Sequence, residues 1–373
     1  MPPAKKTTTK KSTAKKSSSK RANKLVRVLS IDGGGILGIL PGQILVKLES
    51  ILQEESGKPT ARIADYFDLI VGTSTGGILS AIYACPDRLG STKPRPKYSA
   101  QQAVDVYLER GDEIFSLNIW EKARTLGGLI DEKYPADELE DALQDYLGDT
   151  LLSQTLKPCL IPAYNIKDRT PFFFRSAKAE KDLDYNFLLR DVCRATSAAP
   201  TYFETARVKS RKTPPSKFPL IDGGVFANNP AMCAYSEARS SDIFGPGRPK
   251  HPTAQQMAIL SVGTDDNQRL PRYTYGMTHD WGKAEWVVPL ISILMQGNST
   301  TVDYQLKMIF DTLPRGHRNQ YLRVVSPLGD KTDGAMDCAT PDNLRRLAED
   351  GARSADNQET KLRAFAKLLV ANA

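Results

Sequence analysis

The sequence predicts an α/β fold: a mostly parallel sheet sandwiched by helices, with additional helices towards the C-terminus. Three observations predict it. Apolar runs such as Val26-Arg27-Val28-Leu29-Ser30-Ile31 and Phe67-Asp68-Leu69-Ile70-Val71 have the length and composition of buried strands. Stretches of helical periodicity follow them, and strands that alternate with helices pair in parallel and need cover on both faces. With 40% hydrophobic content over 373 residues, the chain can bury a large core.

Residues 1–24 hold eight lysines, Arg21 and no acid, set among Ser and Thr, and are predicted to be a disordered basic tail. Removing those nine from the 51 Lys and Arg leaves 42 basic against 43 acidic groups, so the net charge of +8 belongs to the tail. The folded body is about neutral, and no specific nucleic-acid binding is expected of it. The tail is either a solvated extension or a contact for anionic lipid headgroups or nucleic acid. No apolar segment follows it as in a secretory signal, and no uninterrupted apolar run is long enough to suggest a transmembrane helix. The five cysteines are odd in number and widely spaced, as reduced core thiols of a cytoplasmic protein would be.

The first strand runs into Asp32-Gly33-Gly34-Gly35, whose bare backbone N–H groups near a helix start suit an oxyanion. Gly33, Gly35 and Gly38 also satisfy the dinucleotide-binding pattern G-x-G-x-x-G, with Glu49 and Glu54 downstream. That reading leaves Ser74 without a role and places Pro41 and Gly42 inside the helix. Ile44, Leu45, Leu48, Ile51 and Leu52 then mark a helix over about 43–55. The second strand ends in Gly72-Thr73-Ser74-Thr75-Gly76-Gly77, a G-x-S-x-G nucleophile elbow in which glycines relieve crowding where strand turns into helix.

Residues 86–99, with three prolines, read as a loop that could border the site. Helices are expected over about 100–115, 135–146 and 187–199, and strands near 160–165 and 171–175. Residues 207–217 read as a basic, proline-containing loop, either solvated or meeting phosphates. Pro219-Leu220-Ile221-Asp222-Gly223-Gly224 is an apolar strand ending in a carboxylate and glycines. Beyond Thr264, the apolar stretch 285–295 begins a helical pattern reaching Phe310. It reads as a lid or membrane-facing helix, or as a buried helix on the sheet. The polar residues 296–303 favour the second, as an exit to solvent. A strand over 320–325 and a helical segment over 341–370 close the chain.

A serine hydroxyl needs a base within hydrogen-bond reach. The three histidines, His251, His279 and His317, fall in stretches rich in Pro, Gly and charge with no turn motif, so the base is better sought in a carboxylate. The chain has no C-x-x-C, H-E-x-x-H or G-x-x-x-x-G-K-[ST], so neither metal nor cofactor is expected.

With an Asp-Gly-Gly-Gly loop, a G-x-S-x-G elbow and a later Asp-Gly-Gly in that order, the chain resembles the patatin-like phospholipases over about residues 25–265. The stretches Arg194–Phe203 and Ile259–Thr264 resemble them too. The resemblance implies a patatin-like catalytic core over 25–265 with a C-terminal helical extension over 266–373. It implies a Ser–Asp dyad, with Ser74 as nucleophile, Asp222 as base and the amides of Gly33, Gly34 and Gly35 as oxyanion hole. The substrate it implies is membrane glycerophospholipid, met by a cytoplasmic protein peripheral at the inner membrane when active. It also admits a bacterial effector activated by a cyclic oligonucleotide in anti-phage defence. Where the family often carries Arg or Lys after the glycine run, this chain has Leu37. Two rival readings are an α/β-hydrolase with a Ser-His-Asp triad and a non-catalytic lipid- or nucleotide-binding module.

Overall fold

The computed structural model describes residues 24–114, 135–264 and 272–373; the basic tail, Lys24 excepted, lies outside them. Eight strands form one mixed sheet: β1 Val26–Ile31, β2 Leu69–Gly72, β3 Cys159–Asn165, β4 Thr170–Arg175, β5 Ala206–Lys209, β6 Lys217–Asp222, β7 Met257–Val262 and β8 Tyr321–Val324. The order is β5-β6-β3-β2-β1-β7-β8, with β4 paired to β3. The segment β3-β2-β1-β7-β8 is parallel throughout. Among the described strands the antiparallel pairs are β3–β4, β3–β6 and β5–β6.

The principal helices are α1 Ile39–Ser56, α2 Thr75–Ala84, α3 Ala100–Ile114, α4 Asp137–Leu147, α5 Leu189–Thr196, α6 Ala231–Ser240, α7 Lys283–Asp311, α8 Pro341–Asn357 and α9 Glu359–Ala371. Alternation along the strands assigns them to two layers. Leu29 and Ile31 of β1, Ile70 of β2 and Leu260 of β7 share a core with α1 to α5, α8 and α9. Val26, Val28, Leu69, Val71 and Ile259 point the other way, onto Ala231, Ala234 and Ala238 of α6 and Val302, Leu306 and Phe310 of α7. Small alanines on α6 let that helix approach the sheet closely.

Residues 35–56 are long and apolar enough to cross a membrane, but Gln43, Lys47 and Glu49 interrupt the apolar run and 72% of its most apolar 18 residues are buried inside the protein. Its apolarity is explained by position, because α1 packs against α3, α8 and α9.

The C-terminal region supplies more than helices: β8 pairs with β7 and is an edge of the same sheet. The basic stretch 207–217 is largely a hairpin rather than a loop, since β5 pairs with β6 from Ala206↔Leu220 to Lys209↔Lys217. Its Arg207 and Lys209 face solvent while Ala206 and Val208 face the core.

Candidate active site

Strand topology brings the two motif-bearing turns together. Strand β4 runs along one edge of β3, so its other edge is shared: β2 lies beside Cys159 and Leu160, and β6 beside Ala163–Asn165. Because β2 is parallel and β6 antiparallel to β3, their C-terminal ends run towards each other. Ser74 follows the end of β2, and Asp222 is the last residue of β6. Strand β1 ends beside β2 and delivers the glycine loop to the same place, the C-terminal edge where parallel sheets hold their ligands.

Ser74 has φ 54° and ψ −125°, a conformation that L residues seldom occupy and that stores about 1–3 kcal/mol of strain. Bonds on both sides hold it. Its N–H donates to Thr196 Oγ1 at 2.9 Å, and that hydroxyl donates to Pro162 O at 2.6 Å. Its carbonyl accepts from Ile78 N–H at 3.0 Å. Thr75 Oγ1 is 2.7 Å from Tyr107 Oη, which also reaches Thr75 O at 2.9 Å. The elbow glycines are required by approach: a Cβ on Gly76 would sit 2.3 Å from Ile31 O, and one on Gly72 would sit 2.0 Å from Gly76 O. Both neighbours are backbone and cannot yield.

Asp222 is fully enclosed. Its Oδ1 accepts from Gly224 N–H at 2.6 Å, whereas Oδ2 is buried with no well-formed hydrogen bond. Burial pushes its pKa up from 3.8 to about 7, against the opposing pull of the Gly224 amide and the Ser74 hydroxyl. Ser74 and Asp222 line one cavity of about 70 Å³ with Gly35. Its walls are apolar, including Ile78, Val106, Leu139, Leu143, Ile291 and Met295.

The glycine loop departs from expectation at one residue. Gly33 N–H already donates to Asn228 O at 3.0 Å, so this amide is committed to holding the loop. No acceptor among the described residues takes the amides of Gly34 and Gly35, and Gly35 faces the cavity at φ 57°. Asp32 beneath the loop is bound by Arg323 of β8, whose Nη1 donates to Asp32 Oδ1 and to Ser261 Oγ, both at 2.8 Å.

Several residues here escaped the sequence reading. Asn228 Nδ2 donates to Ser299 Oγ of α7 at 3.1 Å, and Asn298 Nδ2 donates to Phe226 O at 2.7 Å. The polar middle of α7, read as an exit to solvent, is therefore what docks the segment after Asp222. Thr196 lies in a stretch the sequence did single out. Arg323 carried no local signal, since its partner is 291 residues away.

None of the three histidines lines the cavity. His251 Nδ1 lies 3.2 Å from Arg239 O, His279 stacks on Tyr275, and His317 contacts Gln255. Residues 86–99 do not reach the cavity either. Both acids of the dinucleotide reading are otherwise engaged: Glu49 is buried and accepts from the amides of Ile63 and Ala100, both at 3.1 Å, and Glu54 accepts from Arg363 at 2.9 Å.

A strained serine on a strand-to-helix elbow, beside an open amide pair and a buried carboxylate, is the arrangement of a serine acyl hydrolase. A sequence model of the patatin-like phospholipases matches residues 29–235. Patatin-like protein 3 of Arabidopsis thaliana is 36% identical over 350 residues, which covers 88% of this chain and 80% of that protein. Patatin-T5 of Solanum tuberosum is 34% identical over 361 residues, covering 93% and 90%. The chain belongs to the patatin-like phospholipase family, as its three motifs implied.

Proposed function

We propose that the protein hydrolyses ester bonds of membrane glycerophospholipids through a Ser74–Asp222 dyad. The observation that carries this reading is that Ser74 and Asp222, whose Oδ2 makes no well-formed hydrogen bond elsewhere, share one apolar cavity that no histidine lines. Ser74 Oγ attacks the ester carbonyl as its proton passes to Asp222, and the amides of Gly34 and Gly35 receive the oxyanion. The carbonyl reforms, the ester C–O bond breaks, and Asp222 returns the proton to the departing lysolipid alkoxide. Water, deprotonated by Asp222, then attacks the acyl-enzyme. Fatty acid leaves and Ser74 regains its proton.

The test is fatty-acid release from phospholipid vesicles by the wild-type protein and by a variant with His251, His279 and His317 all changed to Gln. The dyad predicts activity within a fewfold of wild type. A histidine base predicts a loss of several orders of magnitude, the scale seen when a protease triad loses its histidine, about 10⁶-fold. A cyclic-oligonucleotide activator would meet the protein at the exposed cations of the β5–β6 hairpin, so one arm adds cyclic dinucleotides. Activity that appears only in that arm would support a bacterial anti-phage effector held inactive in the cytoplasm until it acts at the inner membrane.

Acidity should govern the rate. Asp222 must be ionised to accept a proton, so kcat/KM is expected to rise with pH through about 7 and level off above it. A flat profile between pH 5 and about 8 would remove Asp222 from the role of base.

A further inference from the structure

The inner and outer faces of α7 are both apolar. On the inner face Ile291 and Met295 line the cavity, and Val302, Leu306 and Phe310 pack on the sheet. The outer face carries Trp286, Leu290, Ile293, Leu294, Tyr304 and Met308, all exposed. Their spacing places them on one stripe along about six turns of helix. Tyr275 and Met277, shortly before α7 in the chain, are exposed too, so that eight of the eleven large apolar side chains exposed among the described residues fall between residues 275 and 308. A concentration of this kind marks a docking surface rather than the scattered exposure usual on soluble proteins.

We infer that the outer stripe of α7 seats on a phospholipid bilayer and sets the mouth of the Ser74 cavity against the lipid. This rests on the hydrolase reading above and names where its substrate enters. Continuity with the site carries the choice of occupant: Ile291 and Met295 belong to the same turns as Leu290 and Leu294, so lipid at the stripe is separated from the cavity that Ser74 lines by the thickness of that one helix. At about 70 Å³ the cavity is below the roughly 150 Å³ that takes up a benzene ring. The pocket is narrow for an acyl chain, and Ile291 and Met295 are the lining residues on the helix that would touch the bilayer. Trp286, Tyr275 and Tyr304 have the amphipathic rings that settle at a membrane interface. Arg272 and Lys283 are exposed beside Asp280 and Glu285, so apolar contact rather than net charge supplies the attachment.

The experiment uses the full chain and the double variant Leu290→Asp, Leu294→Asp, neither residue lining the cavity. Partition onto vesicles of equal parts phosphatidylcholine and phosphatidylglycerol is measured by co-sedimentation. Hydrolysis is measured on the same vesicles and on a water-soluble p-nitrophenyl ester. The expected result is partition at least about tenfold weaker, vesicle hydrolysis reduced in proportion, and unchanged turnover of the soluble ester, which also reports an intact fold. Unchanged partition would overturn the inference. So would a wild-type dimer that the variant converts to monomer with vesicle binding intact, because a second copy would then cover the stripe. If the wild type cleaves neither substrate, the hydrolase reading fails by itself and partition still decides the docking surface.

Discussion

Ser74→Ala is expected to reduce fatty-acid release by about 10⁵-fold or more, and Asp222→Asn by about 10⁴-fold, with both variants folded. Alanine removes the only atom that forms the acyl-enzyme. Asparagine keeps the shape of Asp222 and its carbonyl oxygen can still accept from Gly224 N–H, now at 2.6 Å from Oδ1, but an amide nitrogen in place of Oδ2 cannot take a proton. The losses should not add, because nucleophile and base act as one unit: the double variant is expected to be no slower than Ser74→Ala. An Asp222→Asn protein within tenfold of wild type would show that another group takes the proton.

The same substitution should stabilise the fold at alkaline pH. The carboxyl of Asp222 has its pKa raised from 3.8 to about 7, so folding favours its protonated form. Its contribution to stability is complete below about pH 4 and is lost as the pH rises to about 7, a difference worth about 4 kcal/mol. Asparagine is never charged and escapes that loss. Denaturant melts of the two proteins should therefore agree near pH 4 and diverge by a few kcal/mol at pH 8, in favour of the inactive variant. This is the expected cost of keeping a buried carboxylate ionised for chemistry.

The parallel strands and their helices were legible because burial on both faces leaves continuous apolar runs, as in β1 and β7, and because amphipathic helices keep their period. The elbow and the glycine loop were legible because close backbone contacts exclude every side chain. At Gly72 and Gly76 the excluded neighbours are main-chain oxygens, so the sequence has no alternative to glycine. What stayed hidden depends on pairing between distant segments. Nothing local distinguishes Gly33, whose amide is taken by Asn228, from Gly34 and Gly35, whose amides are open. Helix α7 packs on the sheet through Val302, Leu306 and Phe310, as its pattern suggests, but its polar residues 296–303 are not simply an exit to solvent, since Asn298 and Ser299 are bonded to the segment 226–229. With those polar groups turned inward, the apolar residues on the opposite face are left outside.

Arg323→Leu is expected to lower stability by about 3–5 kcal/mol, the cost of leaving one member of a buried ion pair uncompensated. The guanidinium is 10% exposed and the Asp32 carboxylate 2%. With Arg323 gone, Asp32 keeps its burial and loses its cation. Equilibrium unfolding reads the loss, and Asp32→Asn in the same chain should recover part of it by removing the stranded charge. The consequence extends to catalysis, because Asp32 precedes Gly33 directly and accepts through both carboxylate oxygens from an arginine that also ties Ser261 of β7. A glycine loop released from that anchor should lose kcat more than KM, since its amides act on the oxyanion and not on the bound ester. A stability change below about 1 kcal/mol would mean that water replaces the arginine and that the loop's other bonds, to Asn228, Val262, Thr264 and Met336, suffice to hold it. Arg323 lies beyond the matched residues 29–235, so the expected loss would make the C-terminal strand part of what builds the site.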